Sequence, residues 1–600
     1  MTPGQGGLGV PDPDRLLVPR FLANVRRTPE RAAVISVRRR GTGTVEDVLT
    51  YGELDRAAGV LGRRLAAEHA PGERVMLMLQ DPLTFVRAFF ACQYARLVPV
   101  PVPLPESSRP HSDRAGGIAL DCRPSLVLTD AEHHPQVSAW LCRDGLETVP
   151  VAVVGAEPVA DTEPGGPARS SLPTDLAFLQ YTSGSTSDPK GVMVTQANLA
   201  HNIAVGQALL GWDAETRTGS WLPVYHDMGL ISMLLAPLRL GGSAVQMPAA
   251  DFLKHPYAWL ELIDRYGVHA SGAPNFGYDL CLRRVTDEQL AGLDLSRWRW
   301  ACNGAEPIDP NTVRRFAERF ATAGFRAEAL VAGYGLAEAT LFVTGSRAGA
   351  YPVVTAVDPA ALARDELRAD PAGTGQGLVG CGRTHDLDVR VVDPTTRVAL
   401  PDGRIGEIWI RGESVAAGYW ERPEESGATF AAATASGDGG FLRTGDLGGV
   451  LDGELYLTGR IKELLIVHGR NLYPQDIERV VRDELPPPHR AMPCCAFAVD
   501  LGPGAEVVIL QEVRRRSVAP DELERLAKTL RAAVTRRLGV RVAAVSLVRM
   551  GQVRRTTSGK VRRRQMRELF MAGELVTVHE DLDDDLRQRY RYRAPAVAPA

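Results

Sequence analysis

From Ala32 onward the chain alternates two rhythms of apolar residues. AAVISV and ERVMLML are short apolar runs, whereas LTYGELDRAAGVLGRRLAAEHA and PLTFVRAFFACQYARL bring apolar positions back every three or four residues. The first kind predicts strands and the second amphipathic helices. Their alternation predicts an α/β domain on a largely parallel sheet. The rhythm runs to about residue 345, interrupted by a Gly/Pro-rich loop over 155–173. Residues 346–383 read as an insertion. Asp358 as N-cap and Pro359 in the first turn predict a short helix, and the glycines of AGTGQGLVGCG predict a loop. Over 384–458, LDVRVVD, GEIWIRG, FLRTGDLG and ELYLTG predict a small β-rich subdomain. From Gly459 to about residue 575 the pattern predicts a compact α+β domain with a long amphipathic helix near 520–538. Residues 576–600, an acidic run, a basic run and then Ala and Pro, read as a solvated tail. The expected organisation is an N-terminal domain over 1–458, a C-terminal domain over 459–575 and a tail.

Composition narrows the class. A net charge of -3, with 44% hydrophobic and 24% charged residues, fits a globular protein and argues against nucleic acid as a partner. The apolar stretch from Phe85 to Leu104 is broken by Arg87, Arg96, Pro99, Pro101 and Pro103, which argues against a membrane span. Eight scattered cysteines without a C-x-x-C pair, and an N-terminus unlike a signal peptide, lead us to expect a cytoplasmic protein. Lysine is scarce: of 69 basic residues, only Lys190, Lys254, Lys462, Lys528 and Lys560 are not arginine. A lysine kept where arginine is the default suggests a need for a compact point charge.

The sharpest local signal is YTSGSTSDPKGV, Tyr181 to Val192. Small residues let backbone N–H groups approach phosphate oxygens, hydroxyls add donors and Lys190 adds a charge. An ordinary polar loop has similar composition. The string is not a G-x-x-x-x-G-K-[ST] loop, so a P-loop kinase or ATPase is disfavoured.

Five further strings follow in order: Asn303-Gly304-Ala305-Glu306-Pro307, Gly333-Tyr334-Gly335-Leu336-Ala337-Glu338-Ala339-Thr340, Arg443-Thr444-Gly445-Asp446, Gly459-Arg460-Ile461-Lys462 and Ser558-Gly559-Lys560. Together with the first they resemble the motifs of the adenylate-forming superfamily: acyl-CoA synthetases, peptide-synthetase adenylation domains, luciferases and fatty acyl-AMP ligases. The resemblance covers residues from about 20 to 570. It implies a large multi-subdomain N-terminal adenylate-forming domain and a small, mobile C-terminal one, with ATP and Mg²⁺ as cofactors. It places Thr182, Ser183, Gly184, Ser185, Thr186 and Lys190 at the phosphates. Asn303, Gly304, Ala305, Tyr334, Gly335 and Ala337 fall around adenine, and Glu338 at Mg²⁺. Asp446 and Arg460 fall at the ribose, Lys462 at the inter-domain hinge and Lys560 at the reacting α-phosphate. Arginines flank Lys560 closely, so a lysine here reads as a chemical requirement.

SWLPVYHDMGLI, Ser220 to Ile231, resembles the fatty acyl-AMP ligase form of an aromatic–histidine motif, which puts His226 near the substrate carboxylate. The 68 positions between Glu338 and Gly406 accommodate an insertion ahead of Leu378-Val379-Gly380-Cys381-Gly382. In the fatty acyl-AMP ligases such an insertion restrains the C-terminal domain and disfavours CoA. The resemblance thus implies activation of a fatty acid as acyl-adenylate and transfer to the phosphopantetheine thiol of an acyl carrier protein. Acyl-CoA synthesis is the main alternative, and amino-acid or aryl-acid activation a lesser one, since Asp227 also suits a substrate ammonium.

Overall fold

The computed structural model describes residues 13–590 apart from 42, 106–113, 156–164, 168, 182–188, 385, 468–469, 491, 501–504, 515–518 and 556–560. Its largest sheet has nine strands. Ala32–Arg40, Ser243–Gln246, Arg217–Ser220, Ala270–Ala273, Trp300–Asn303 and Leu330–Gly335 lie side by side and parallel. Antiparallel strands close both edges: Gly43–Thr50 on one, Phe342–Gly345 and then Arg383–Thr384 on the other. Four more parallel strands, Val98–Pro101, Arg74–Met78, Leu126–Thr129 and Val151–Val153, make a second sheet.

The helices predicted from periodicity are present as Tyr51–Glu68 and Pro82–Ala95. Thr50 and Glu53 form a capping box on the first, and Asp81 caps the second by accepting from Thr84 N. Each cap satisfies an N–H that the helix itself leaves unpaired. The β-rich stretch is a four-stranded antiparallel sheet of Asp388–Val392, Gly406–Arg411, Leu442–Leu451 and Glu454–Arg460. Beyond Arg460, Cys494–Asp500, Ala505–Val513, Val542–Arg549 and Thr577–Leu582 form another four-stranded sheet, against which helix Pro520–Leu538 packs. Two buried clusters there draw all their members from residue 465 onward.

Two expectations are corrected. The glycine-rich stretch contains the strand Gln376–Val379, paired with Val354–Val357. Leu378 packs beside buried Val357, so side-chain burial outweighs the turn preference of the glycines. The same segment carries the short helix Pro359–Leu362, capped by Asp358 as predicted. The solvated tail is wrong for 577–590. Thr577–Leu582 is a sheet strand, Asp584–Tyr590 is a helix, and Leu586 is 1% exposed. The acidic run is held by charge: Arg531 binds Asp581 and Asp583, and Arg541 binds Asp583. A carboxylate cluster with arginine partners folds against the sheet instead of repelling itself.

Candidate active site

In open α/β sheets, ligands collect at the carboxyl ends of the strands. Two adjacent parallel strands of the large sheet and one more beyond their neighbour carry this end of the molecule. Arg217–Ser220 runs into the segment bearing His226, Trp300–Asn303 into Gly304, and Leu330–Gly335 into Glu338. Their loops surround a cavity of about 630 Å³.

Two close backbone approaches shape one wall. A Cβ on Gly304 would lie 2.7 Å from the carbonyl oxygen of Gly333, and one on Gly335 would lie 1.8 Å from that of Leu341. Side chains at these positions would push the loops apart. Ala305 holds a φ of 65°, a left-handed conformation uncommon outside glycine. Asn303, 2% exposed, donates to Asn275 Oδ1 at 3.2 Å, while its own Oδ1 is buried without a protein partner.

Tyr334 donates from its hydroxyl to Asp446 Oδ2 at 2.9 Å. Arg460 Nε reaches Asp446 Oδ1 at 2.8 Å. The sheet register makes this pair: Asp446 and Arg460 face each other on adjacent strands. Burial and then the Asp446 charge push the Tyr334 phenol well above its ordinary value, and Asp446 raises Arg460 further. Both partners therefore keep their ordinary protonation at neutral pH. Lys462 follows in a 3₁₀ turn, Ile461–Glu463, on the cavity rim between the β-rich sheet and the clusters that begin at Leu465.

Glu338 lies in the turn Ala337–Ala339 and is half-buried in the cavity. Burial raises its carboxyl pKa, and a hydrogen bond from the Tyr419 hydroxyl opposes that rise. Lys190 pairs with Glu425 and sits 5.1 Å from the centre of the Tyr419 ring. His226 Nδ1 lies 2.7 Å from Asp227 Oδ1, and Asp227 also accepts from Met228 N at 2.7 Å. Met228 N also approaches Nδ1, at 3.4 Å. The cavity also has apolar lining. Ile203, Gly206, Gln207 and Leu210 line it from one face of helix Gln196–Leu210, together with Met233, Ala236 and Val331.

The family described as AMP-binding enzyme matches residues 21–420. A medium-chain-fatty-acid–[acyl-carrier-protein] ligase, JamA of Moorena producens, is 38% identical over 88% of this chain and 90% of its own. A long-chain-fatty-acid–AMP ligase, FadD26 of Mycobacterium bovis, is 37% identical over 86% and 90%. The crystal structure of a fatty acyl-adenylate ligase from L. pneumophila in complex with acyl adenylate and pyrophosphate is 33% identical, with a TM-score of 0.72 over 95% of this chain and 98% of that one. The chain belongs to the AMP-binding enzymes, on their fatty acyl-AMP ligase branch.

As a fatty acyl-AMP ligase, the molecule gathers most of the residues singled out from sequence. Lys190, His226, Asn303, Gly304, Ala305, Tyr334, Gly335, Ala337, Glu338, Arg460 and Lys462 all line the one cavity. Asp446 is 5% exposed and joins it through Tyr334 and Arg460. Thr182, Ser183, Gly184, Ser185, Thr186 and Lys560 lie outside the described residues. Their flanks are placed: Tyr181 and Gly191 are register partners on antiparallel strands, and Val561 lines the cavity. Sequence reasoning missed Tyr419, Glu425, Asn275 and Glu407. Glu407, 2% exposed, binds Trp409 Nε1, Arg443 and Gly445 N, and so braces the Arg443–Asp446 turn from behind. The cue was a charged residue inside the apolar strand GEIWIRG, a place where a carboxylate needs partners.

Proposed function

We propose that this fatty acyl-AMP ligase activates a fatty acid as its acyl-adenylate and passes the acyl group to the phosphopantetheine thiol of an acyl carrier protein. The observation that carries the reading is the mixed lining of the cavity: polar groups at Tyr334, Glu338 and Arg460, and apolar ones along helix Gln196–Leu210. A nucleotide suits the first and an alkyl chain the second. In the first half-reaction a carboxylate oxygen of the acid attacks the α-phosphorus of ATP. The bond to the bridging oxygen breaks, and pyrophosphate leaves with the electron pair. In the second, the carrier thiolate attacks the acyl carbon and AMP leaves.

In this reading the flat face of Tyr334 packs on adenine, while Asp446 and Arg460 take the ribose hydroxyls. His226, its Nδ1 beside Asp227, donates from Nε2–H to the acid carboxylate. Lys190 exchanges Glu425 for phosphate. Lys560 offsets the repulsion between the carboxylate and the α-phosphate. Glu338 is the carboxylate that would hold Mg²⁺. Among the described residues no group of three or more His, Cys, Asp or Glu gathers to hold a metal. A single carboxylate fits a hard cation that arrives already bound to phosphate oxygens, where it neutralises charge.

Contacts across the hinge favour a carrier over CoA as acceptor. Gln376 Nε2 donates to Asp476 Oδ1 at 2.7 Å, and Asn471 Nδ2 donates to both oxygens of Asp365 at 3.0 and 2.9 Å. They tie segment 346–383 to the C-terminal part, a restraint on the rotation about Lys462. The test is a panel of fatty acids with ATP and either CoA or a holo carrier protein, read by mass spectrometry. We expect adenylate formation and carrier loading. Efficient CoA thioester formation without carrier loading would overturn the acceptor, and an amino acid as the preferred substrate would overturn the acid.

A further inference from the structure

One cationic group in the cavity has no task in the scheme above. Arg114 opens the helix Arg114–Cys122 and lines the cavity beside Gln180, Lys190 and Tyr225. Its Nη2 donates to the carbonyl oxygen of Tyr181 at 2.9 Å, at the threshold of the loop that precedes Lys190. Among the described residues it has no carboxylate partner. Nearby Asp121 is engaged by the Tyr181 hydroxyl at 2.6 Å and by Arg422 at 3.0 Å. Burial, chiefly, holds Arg114 below the usual guanidinium range; Tyr225 opposes it, and the positive charge of Arg562 adds a smaller lowering influence. A half-buried guanidinium with one neutral acceptor and a like charge near it is an unfavourable arrangement unless an anion completes it.

Arg562 comes from the other side of the hinge. Three arginines stand in a row, and two are occupied. Arg563 binds Glu478 and donates to Ala496 O at 2.8 Å, and Arg564 binds Glu568 at 3.0 Å. Arg562 has no ion-pair partner among the described residues and lines the cavity with Val561. Its backbone is fixed there, since its N–H donates to Arg554 O at 2.9 Å and Val561 bridges to Arg555.

We propose that Arg114 and Arg562 form a clamp, one arm from each domain, on the β- and γ-phosphates of ATP and on the pyrophosphate they become. A multiply charged polyphosphate fits between two planar guanidinium forks, and it converts their repulsion into attraction to a common anion. Charge accumulates on the leaving group as the bond from the α-phosphorus to the bridging oxygen breaks, and the clamp stabilises it there; no proton transfer is needed. The clamp closes only when the C-terminal domain is docked, so a bound triphosphate favours the docked arrangement and loss of pyrophosphate releases it. This inference rests on the nucleotide end of the function proposed above and is independent of which acid meets the apolar lining.

The test uses the full chain carrying Arg114→Gln, Arg562→Gln, both together, and Arg114→Lys. Pyrophosphate exchange gives the KM for pyrophosphate and for the acid separately. Each Gln variant should raise the pyrophosphate KM about tenfold or more, with the acid KM little changed. The double variant should fall well short of the product of the two, because either arm alone cannot clamp. Arg114→Lys should recover part of the loss. Equal rises in both KM values, or strictly multiplicative effects, would overturn the clamp. Calorimetric titration of inorganic pyrophosphate into the unliganded proteins isolates it from the substrate reading. Loss of pyrophosphate binding in the Gln variants supports the clamp even if no fatty acid supports exchange. Unchanged binding sinks it even if fatty acids are activated. Melting curves of every variant identify any that fail to fold, and for those Arg114→Lys and Arg562→Lys carry the comparison.

Discussion

Tyr419 donates its phenolic hydrogen to Glu338 Oε1 at 3.0 Å, and the same ring lies beneath the ammonium of Lys190. One side chain thus steadies both the carboxylate proposed to hold Mg²⁺ and the lysine proposed to meet phosphate.

The Glu338 carboxyl is raised by burial, so on acidification it gains a proton at a higher pH than an ordinary carboxylate. The Tyr419 hydrogen bond stabilises the ionised form and lowers the pKa, so Tyr419→Phe must raise it further. We expect the acid limb of adenylate formation at limiting Mg²⁺ to move to higher pH, with the alkaline plateau retained. A limb that stays in place would show that Tyr419 does not act through Glu338.

Lys560→Arg keeps the charge and changes its shape. If the reaction needs a point charge between the carboxylate and the α-phosphate, adenylate formation should fall about a hundredfold, as when a transition-state donor is removed. Pyrophosphate exchange measures it directly. Near-normal exchange would mean that the scarcity of lysine in this chain is compositional only.

Glu407 is the keystone of the turn that carries Asp446. Glu407→Ala leaves Arg443, Trp409 and Gly445 N without their acceptor. Breaking a buried pair on one side costs about 3 kcal/mol. The first thermal transition should drop by several degrees and the KM for ATP should rise. A variant that melts like the parent would place the turn's stability elsewhere.

Asp476 is pushed up to about 6, chiefly by burial, against the lowering influence of Arg479 and Gln376. The folded state therefore binds its proton more tightly than the unfolded state does. Its contribution to stability is fully present below an ordinary aspartate pKa of about 4 and is lost as pH rises through 6. Asp476→Asn does not titrate, so its melting temperature should lose this part of the pH dependence between 4 and 6. Parallel pH profiles for parent and variant would remove Asp476 from the account.

Much of this site was legible because its residues lie in short strings at strand ends, where local sequence and three-dimensional place coincide. Gly304 and Gly335 could be found from sequence, since each marks a loop; that each faces a backbone carbonyl of another loop could not. Asp446 and Arg460 are 14 positions apart, and only the register of two strands makes them a pair. Glu425 and Arg114 went unnoticed because nothing local distinguishes them from surface charges; their meaning lies in what the fold sets opposite. The misread tail follows the same logic. Its acidic run resembles a solvated segment until Arg531 and Arg541 are seen to face it.

Val561 and Arg562 are part of the cavity wall, yet they come from the chain beyond Lys462. If that part swings about Lys462 as proposed above, the reaction chamber has a detachable wall. While the wall is in place, the mixed anhydride would be shielded from water and from thiols alike; once it swings away, both would gain entry. The bonds from Gln376 to Asp476 and from Asn471 to Asp365 would then act as a timer on exposure. Weakening them would speed release at the expense of yield, with more of the activated acid leaking to water before an acceptor arrives.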